Sequence, residues 1–304
     1  MRLNLNLTRI FYTVVRENSF SRAASALCIS QPAVSRAVRE LESQLDQTLF
    51  ERGSGAVTKS GRLRMTASGQ VLFDYAREIF ALEQAAAKEL ADRACATRGM
   101  LVVGASTTVA GYWLPSLLAK YHQSHPGVLI KVVVANTEAI CADLRDYQLD
   151  LAIIEGAVED PLITEEKVFA ETLSIVAPPD FKLSADEYFA QSELNRAVWL
   201  FREPGSGTRT VTQTLLAEQQ IKPTEIIEFG SNEGIAQAVC HGLGIAMLPD
   251  VVTAGLIELG RIKLLSPDFL PVFERDLRLL KRQGRIPSPA AEYFFDLIRS
   301  AVQA

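Results

Sequence analysis

The side chains of Gln31, Ser35 and Arg36 have the chemical types and the helical spacing that base recognition in a DNA groove requires. Glutamine pairs bidentately with adenine and arginine with guanine, while a serine hydroxyl can reach a phosphate or a base edge. Gln31 and Ser35 are four residues apart, as are Pro32 and Arg36, so all four fall on adjoining rows of one helix face. The pattern predicts a helix that enters the major groove by its first turns. The expected contact residues are Gln31, Pro32, Ser35, Arg36 and Arg39.

The surrounding sequence predicts two short helices joined by a tight turn. Small apolar residues between Ala23 and Leu27 suit a first helix that packs closely on a neighbour, and the segment 28–30 breaks it. Ser30 can cap the second helix, and Pro32 fits the first turn, where a missing N–H costs nothing. An ordinary helical hairpin with a polar face is the alternative. The apolar stripe that recurs at helical spacing is Val34, Val38 and Leu41.

The segment from Glu51 to Thr66 combines glycines with basic residues, and its apolar residues suggest two short strands. A hairpin of this composition is typical of the wing of a winged helix, whose basic tip can contact a phosphate or the minor groove. A basic loop without a function is the alternative.

Residues 67–94 predict one long helix, because no proline and no glycine beyond Gly69 interrupts them. Apolar residues recur there at spacings of three and four, which is the pattern of a coiled-coil seam. Self-pairing would give a dimer with two recognition helices about 34–36 Å apart on a duplex. Packing of the helix on its own chain is the alternative. The seam residues are Leu72, Tyr75, Ile79, Leu82, Ala86 and Leu90.

From Met100 onward, apolar strand segments alternate with helical segments in two successive cycles. This alternation predicts an α/β fold with a mostly parallel sheet, with ligands bound at the carboxyl ends of the strands. Two cycles predict two subdomains that enclose a cleft. A late strand near residues 275–282 and a final helix near 289–302 are expected to return to the first subdomain.

Polar turns follow several of these strands and are expected to face the cleft. The run REPGSGTR, residues 202–209, has two glycines that allow close backbone approach and an arginine at a helix start. Hydroxyls and free N–H groups at a helix start favour an anion, although Glu203 can accept a ligand hydroxyl or pair with an arginine. Turns chosen only for their geometry are the alternative. The expected effector-binding residues are Ser106, Thr107, Thr108, Thr137, Glu138, Arg202, Gly205, Ser206, Thr208, Arg209 and Asn232.

The charge of the chain is divided unevenly along its 304 residues. The net charge is -5, yet the first 66 residues carry ten basic and five acidic residues, which suits a DNA-binding module joined to an acidic body. Asn4, Asn6 and Arg9 interrupt any apolar signal-peptide core, and no apolar run approaches the roughly 20 residues of a membrane span. A cytoplasmic protein with no membrane partner is expected.

The four cysteines are scattered, and no two form a CxxC pair, so neutral thiols are favoured over a redox switch. The sequence also lacks metal-ligand spacing and the motifs GxSxG, GxxxxGK[ST], HExxH and GxGxxG. No metal, no cofactor and no enzymatic activity are therefore expected. A redox-responsive regulator that uses Cys141 or Cys240 is one alternative, and a solute-binding protein is another.

Three segments together resemble the LysR-type transcriptional regulators. They are AASALCISQPAVSRAVRELESQLDQTLFER (Ala23 to Arg52), QLDLAIIEG (Gln148 to Gly156) and SNEGIAQAVCHGLGIAMLP (Ser231 to Pro249), with Thr66, Gly69 and the long helix in support. The REPGSGTR run resembles the branch that includes regulators of carbon fixation and of inorganic sulfur or nitrogen metabolism. A phosphorylated sugar, a sulfite-like anion and a carboxylate all remain open as the effector.

The resemblance implies a winged helix-turn-helix (residues 1–66), a dimerising linker helix (67–95) and an effector-binding domain (96–304) like a type 2 periplasmic binding protein. Subdomain I would comprise about residues 98–168 and 266–304, and subdomain II about 169–265. The implied partners are double-stranded DNA, a small-molecule effector and RNA polymerase, and the implied assembly is a homodimer or homotetramer. Arg52 and Arg64 would contact DNA from the wing, which is longer than usual by the insertion of residues 54–60.

Overall fold

The structure is a computed structural model that describes residues 3–51, 63–94, 99–184, 186–265 and 272–302. The chain divides into two compact units, Met1–Lys88 and Glu89–Ala304. Within the described ranges, no helix is long and apolar enough to cross a membrane. The predicted domain boundaries at residues 66 and 95 stay predictions.

The N-terminal unit begins with three short helices, and a polar side chain caps the start of each. Asn4, Ser19 and Ser30 accept hydrogen bonds from backbone N–H groups of the first turn. The first and third helices end at Asn18 and Asp46, which adopt the left-handed conformation with φ of 49° and 51°. The helices are α1 (Leu5–Glu17), α2 (Phe20–Ala26) and α3 (Gln31–Leu45).

Helices α2 and α3 form the predicted helix-turn-helix pair. In the turn between them Cys28 has a φ of 55°. On α3 the predicted apolar stripe is confirmed, because Val34, Val38 and Leu41 are all buried. They pack in one core with Phe11 of α1. This core holds the opposite face of α3 toward solvent.

The base of the predicted wing lies just after this core. Phe50 and Met65 form an antiparallel bridge, and the N–H of Glu51 donates to the carbonyl of Arg64 at 3.0 Å. A Cβ added at Gly69 would meet the carbonyl oxygen of Leu49 at 2.1 Å. The backbone at Gly69 therefore passes close to the backbone of Leu49. Residues 52–62, which include the predicted insertion, lie outside the described residues.

Helix α4 (Ala67–Ala94) has two apolar faces with different surroundings. One face packs on α1, where Tyr12 stacks on Phe73 at 5.4 Å and lies 5.5 Å from Phe80. The predicted seam is divided between the faces, because Leu72 packs in the core of its own unit. The helix therefore both packs on its own chain and leaves an apolar face uncovered within it. The exposed apolar side chains are Val71, Tyr75, Leu82 and Leu90.

The second unit begins with a parallel β-α-β-α-β segment. The first strand lies between the other two, and all three run in the same direction. A π-helical turn, Val109–Trp113, precedes the first helix of this segment. The elements are β1 (Met100–Ala105), α5 (Leu114–Ser124), β2 (Leu129–Val134), α6 (Thr137–Arg145) and β3 (Leu151–Glu155).

The rest of the second unit repeats the alternation and then returns to the first segment. The next elements are β4 (Ile163–Ala177), α7 (Glu187–Arg196), β5 (Val198–Arg202), α8 (Gly207–Glu218), β6 (Glu225–Phe229) and α9 (Asn232–Cys240). They are followed by β7 (Ala246–Pro249), α10 (Asp250–Glu258), β8 (Lys263–Leu265), β9 (Phe273–Arg282) and α11 (Pro289–Val302). The final helix packs in the core of the first segment, as predicted, through Phe294 and Ile298.

The long strands β4 and β9 join the two halves of this unit. Val168 of β4 packs in the core with β1 and α11, whereas Leu173 of the same strand packs in a second core with β5 and α8. Strand β9 runs antiparallel to β4 and passes between the same two cores, from Phe273 in the second to Leu277 in the first. The two strands therefore form the double crossing between subdomains.

The prediction of a mostly parallel sheet is wrong. Among the described residues the larger sheet has the order β2-β1-β3-β9-β4-β7, with β8 beside β4. Strand β9 is antiparallel to both β3 and β4, and β7 and β8 are antiparallel to β4. The two crossing strands run in opposite directions, which makes the sheet mixed. Strands β5 and β6 form a separate parallel pair, as expected for a second cycle.

Candidate DNA-binding helix and effector site

The predicted DNA-contacting residues of α3 lie on one face of its first turns. Gln31, Pro32, Arg36 and Arg39 are exposed, and Ser35 is half-buried. The Gln31 amide donates to the Ser35 hydroxyl at 3.0 Å, and Nε of Arg39 donates to the Ser35 carbonyl at 3.2 Å. These contacts order the polar face along the helix. The face presents an amide, a hydroxyl and two guanidinium groups, which are the groups that read base edges.

The structure describes only one of the two predicted wing residues. Arg64 is exposed at the base of the wing and lies 3.6 Å from the carboxylate of Glu51. Arg52 lies outside the described residues. Arg64 thus takes part in an exposed ion pair, which contributes little to stability.

Three polar turns from distant parts of the sequence meet between the two halves of the effector unit. Asn232, at the start of α9, donates to the hydroxyl oxygens of Thr108 at 2.8 Å and Thr208 at 3.4 Å. Thr208 also accepts a hydrogen bond of 2.8 Å from Nη1 of Arg275. These four side chains are buried. The predicted residues Thr108, Thr208 and Asn232 are therefore brought into one network.

Five buried polar atoms in and beside this network have no hydrogen-bond partner among the described residues. Ser106 follows β1 two residues before Thr108, and the Thr137 hydroxyl lies 2.9 Å from where a Cβ of Gly207 would be. Buried polar groups normally form hydrogen bonds, so a cluster of atoms that form none indicates a place for a polar ligand. Two of these atoms, Glu155 Oε1 and Arg275 Nη2, belong to a buried ion pair. The atoms are Ser106 Oγ, Thr137 Oγ1, Glu155 Oε1, Asn232 Oδ1 and Arg275 Nη2.

Three charged residues of this network were missing from the sequence prediction: Arg275, Glu155 and Glu171. Nε of Arg275 donates to Oε1 of Glu171 at 2.7 Å, and its Nη2 lies 2.5 Å from the same oxygen and 3.5 Å from Oε1 of Glu155. All three side chains are at most 3% exposed, so one guanidinium faces two carboxylates away from solvent. A signal was present, because Arg275 stands between the apolar residues Phe273 and Leu277 on one face of the strand.

Burial raises the pKa of Glu171, although Arg275 acts in the opposite direction. The carboxylate of Glu171 also accepts a hydrogen bond of 3.3 Å from the indole of Trp113, and the charge of Glu155 adds to the upward shift. Burial is thus the largest cause of the raised pKa of Glu171, and the neighbouring carboxylate of Glu155 adds to it.

The predicted arginines of the REPGSGTR run are already paired. Nε and Nη2 of Arg202 bind both carboxylate oxygens of Glu203, at 2.8 and 2.9 Å, and its Nη1 donates to Thr107 at 3.0 Å. Burial is the largest influence and acts to raise the pKa of Glu203, but the hydrogen bonds that its carboxylate accepts and the charge of Arg202 together lower the pKa. Arg209 donates to the Arg202 carbonyl at 2.7 Å and to Glu228 at 2.8 Å. Neither arginine joins the Thr208–Asn232 network.

The two glycines of this run allow one subdomain to approach the other. Gly205 has a φ of +83°, and a Cβ there would meet the Glu138 carboxylate at 2.6 Å. A Cβ at Gly207 would lie 2.5 Å from the carbonyl oxygen of Glu155. The N–H of Glu138 donates to the Gly205 carbonyl at 3.2 Å. Close backbone approach was predicted for a ligand, but the neighbour here is the other half of the unit.

The remaining predicted residue, Ser206, is buried at the start of α8. Its carbonyl accepts hydrogen bonds from the N–H and the hydroxyl of Thr210, at 3.1 and 3.3 Å. The backbone of Ser206 thus supports the first turn of α8, while Thr208 carries the side-chain contact to the network.

A separate cavity of about 370 Å³ lies between the end of β9 and α11. Its wall includes Arg285, which is paired with Asp150 at 2.6 Å, and Arg299, which is paired with Glu166 at 2.8 Å. These arginines stabilise the end of the sheet, and none of the predicted effector residues lines this cavity.

The cysteines and the acidic residues offer little support for metal or redox chemistry in the described part of the chain. Burial raises the pKa of the Cys141 thiol to about 11, which disfavours the reactive thiolate. Cys28 is exposed and Cys240 half-buried. The described residues contain no cluster of His, Cys, Asp or Glu that could hold a metal ion.

Two family models match the chain. The bacterial regulatory helix-turn-helix protein model of the LysR family matches residues 5–70, and the LysR substrate binding domain model matches residues 96–303. The chain therefore belongs to the LysR family. It is a DNA-binding transcriptional regulator with a domain for a small-molecule effector, and the predicted resemblance and fold class are confirmed.

Similar proteins include a regulator named for the RuBisCO operon. The chain is 35% identical over 291 residues to the HTH-type transcriptional regulator CfxR of Cupriavidus necator, covering 95% of this chain and 89% of that protein. It is 30% identical over 300 residues to the RuBisCO operon transcriptional regulator of Allochromatium vinosum, covering 99% and 97%. The regulatory domain of Synechocystis CcmR in complex with 2-PG matches with a TM-score of 0.60 and 26% identity, covering 67% of this chain and 98% of that chain. The predicted relation to the carbon-fixation branch is confirmed.

Proposed function

We propose that this regulator reads its operator with the exposed face of α3 and responds to a small anion bound in the buried network between its effector subdomains. The DNA-contacting residues would be Gln31, Pro32, Ser35, Arg36 and Arg39, with Arg52 and Arg64 from the wing. The observation that carries the effector site is the cluster of five buried polar atoms that form no hydrogen bond among the described residues. The 2-PG bound to the similar CcmR domain makes 2-PG a rational first probe.

The arrangement of charges refines which predicted residues would touch the effector. Ser106, Thr137, Thr208 and Asn232 offer hydroxyl and amide groups at the network, and Arg275 offers its guanidinium. The pairing of Arg202 with Glu203 and of Arg209 with Glu228 makes these arginines supports of the turn. Thr107, Glu138, Gly205 and Ser206 would hold the two subdomains in register around the ligand.

Effector binding would act through the subdomain contacts. Thr108 lies in the first subdomain, Asn232 in the second, and Arg275 on one of the crossing strands. A ligand changes the equilibrium between two arrangements only by its difference in affinity for them. Such a shift, carried to a dimer or tetramer through α4, would change DNA bending or contact with RNA polymerase. We also propose that the protein has no catalytic role and that it is cytoplasmic.

The DNA-binding proposal is tested by Arg36→Ala in the full-length protein. If Arg36 reads a base, specific binding weakens by about 1–3 kcal/mol while binding to unrelated DNA changes little. Arg16→Ala removes the same charge from an exposed position on α1 and serves as the control. Fluorescence anisotropy with operator and scrambled duplexes measures both. An unchanged sequence preference in Arg36→Ala would remove Arg36 from the base-reading set.

The effector proposal is tested by a thermal-shift screen of sulfate, phosphate, 2-PG and small carboxylates. A ligand that binds only the folded state raises the midpoint of unfolding. Ser106→Ala should lose this rise and retain DNA binding, because the Ser106 hydroxyl is one of the unpaired atoms. Ser124→Ala, on the exposed end of α5, is the matched control. An equal response in both variants would place the site elsewhere.

A further inference from the structure

The five atoms of the effector site that form no hydrogen bond differ in whether they can donate or accept one. Glu155 Oε1 and Asn232 Oδ1 are acceptors, and Arg275 Nη2 is a donor. The hydroxyls of Ser106 and Thr137 can do either. A ligand that satisfies all five must therefore carry donor groups as well as acceptor oxygens.

Glu155 makes this requirement strict, because only 2% of its surface is exposed to solvent. Its Oε1 lies 3.5 Å from Nη2 of Arg275, beyond the usual range of an N–H···O bond. Arg275 is held by Glu171 and Thr208, at 2.7 and 2.8 Å, so it cannot turn toward Glu155 without giving up those bonds. Oε1 of Glu155 is therefore ion-paired with Arg275 but accepts no hydrogen bond among the described residues.

A simple oxyanion does not suit this arrangement. Sulfate or fully ionised phosphate offers only acceptor atoms, so it would leave Glu155 Oε1 without a hydrogen bond and bring a second negative charge beside it. A hydroxyl group on the ligand would donate to Glu155 and would carry no charge of its own. The hydroxyls of Ser106 and Thr137 would accept hydroxylated and bare anions equally. The carboxylate of Glu155 thus favours the hydroxylated ones.

We propose that the effector is a small hydroxylated anion, such as a hydroxy acid, a sugar acid or a phosphorylated polyol, and that Glu155 is the residue that selects its hydroxyl. The anionic group would lie between Arg275 and the hydroxyls of Ser106 and Thr137, and a ligand hydroxyl would donate to Glu155. This inference rests on the proposed function, the binding of an anion in the network. It narrows the three effector classes that the sequence leaves open to anions that carry a hydroxyl group.

The test compares matched probes on the full-length protein by isothermal titration. The pairs are glycerate with propionate and glycerol phosphate with propyl phosphate, and sulfate serves as a bare oxyanion. The hydroxylated member of each pair should bind about tenfold tighter or more, because the analogue leaves a buried carboxylate oxygen without a hydrogen bond. This comparison on the unaltered protein decides the ligand class without any variant.

Glu155→Met then tests the residue assignment. Methionine keeps the length of the side chain and removes the acceptor, and Arg275 retains Glu171 as its partner. The preference for the hydroxylated member should fall to less than about threefold, while the bare anion binds as well or better because a like charge is gone. Glu166→Met, at an exposed ion pair of the same domain, should leave the preference unchanged.

The outcomes separate this inference from the function on which it rests. Equal binding of both members of each pair, with Ser106→Ala still abolishing it, would overturn the hydroxylated class and leave anion binding intact. A preference that survives in Glu155→Met would overturn the assignment to Glu155. Failure of every anion to bind would overturn both the inference and the proposed effector function.

Discussion

Arg275 and Glu171 stand directly opposite each other on the antiparallel strands β9 and β4, and Nε of Arg275 donates a hydrogen bond of 2.7 Å to Glu171. These are the two strands that cross between the subdomain cores. The indole of Trp113, from the π-helical turn, donates to the other oxygen of Glu171 at 3.3 Å. The effector network and the crossing point thus share one ion pair. A ligand that contacts Arg275 acts directly on the strands that join the two halves.

Arg275→Met should strongly destabilise the effector unit. The substitution leaves the carboxylates of Glu171 and Glu155 buried without their cation, which costs about 3–5 kcal/mol for a buried pair. Urea unfolding followed by tryptophan fluorescence measures the loss. Arg299→Met breaks an exposed ion pair on α11 and should cost at most about 1 kcal/mol. Equal losses in the two variants would contradict the role of burial.

Glu171→Gln should flatten the pH dependence of stability. Since the pKa of Glu171 is raised in the folded state, the folded protein binds a proton more tightly than the unfolded chain. The resulting stability is fully present below the ordinary carboxyl pKa and is lost as the pH rises through the raised pKa. The variant cannot titrate there, so it should lose less stability over that window. Parallel pH profiles of unfolding for both proteins would contradict the raised pKa.

Gly207→Ala should destabilise the contact between subdomains. The new Cβ would lie 2.5 Å from the carbonyl oxygen of Glu155 and 2.9 Å from the Thr137 hydroxyl, so backbone must shift at a cost of about 1–3 kcal/mol. Gly255→Ala is the control, because no neighbouring atom lies within 4 Å of its Cβ position on α10. In a helix interior that change is favourable by up to about 1 kcal/mol. The midpoints of thermal unfolding should move in opposite directions.

Leu82→Glu should weaken self-association without unfolding the N-terminal unit. Leu82 is 57% exposed on the uncovered face of α4, with Tyr75 and Leu90 on that face. A charge in an apolar helix seam is costly to desolvate when two copies pair. Analytical ultracentrifugation measures the assembly, and Gln84→Glu adds the same charge at another exposed position on the helix. Dissociation by both variants alike would point to net charge and away from the seam.

Cys141 should resist alkylation under conditions that modify Cys28. With a pKa of about 11, raised chiefly by burial, roughly one thiol in a thousand is ionised at pH 8. Cys28 is exposed. Iodoacetamide labelling at pH 8, read by mass spectrometry, should therefore find Cys28 modified well before Cys141. Equal rates would restore Cys141 as a candidate for the redox-responsive alternative.

Local patterns in the sequence were sufficient for the N-terminal unit. The stripe Val34, Val38 and Leu41 predicts which face of α3 is buried, because helical periodicity depends only on neighbours three and four residues away. The exposed positions of Gln31 and Arg36 follow from the same periodicity. The seam of α4 was only half predictable, since the pattern does not say that α1 covers Phe80.

The crossing strands were less predictable. The apolar run Leu173–Ala177 predicts only the second part of β4. Its first part carries Glu165, Glu166 and Lys167, whose charges reduce the apolar signal of a strand with one partly exposed face. The antiparallel direction of β9 depends on its pairing with β3 and β4, which no local pattern contains.

The sequence by itself determined the class of the protein, the polar face of α3 and the hydroxyl-bearing turns, because each rests on residues close together in the chain. Tertiary structure alone decided which charges meet in the effector site. Arg275 is 67 residues from Thr208 and 104 from Glu171, and strand register and helix placement bring them within hydrogen-bond distance. Arg202 is paired with its sequence neighbour Glu203, and the cation at the network is Arg275 on a crossing strand.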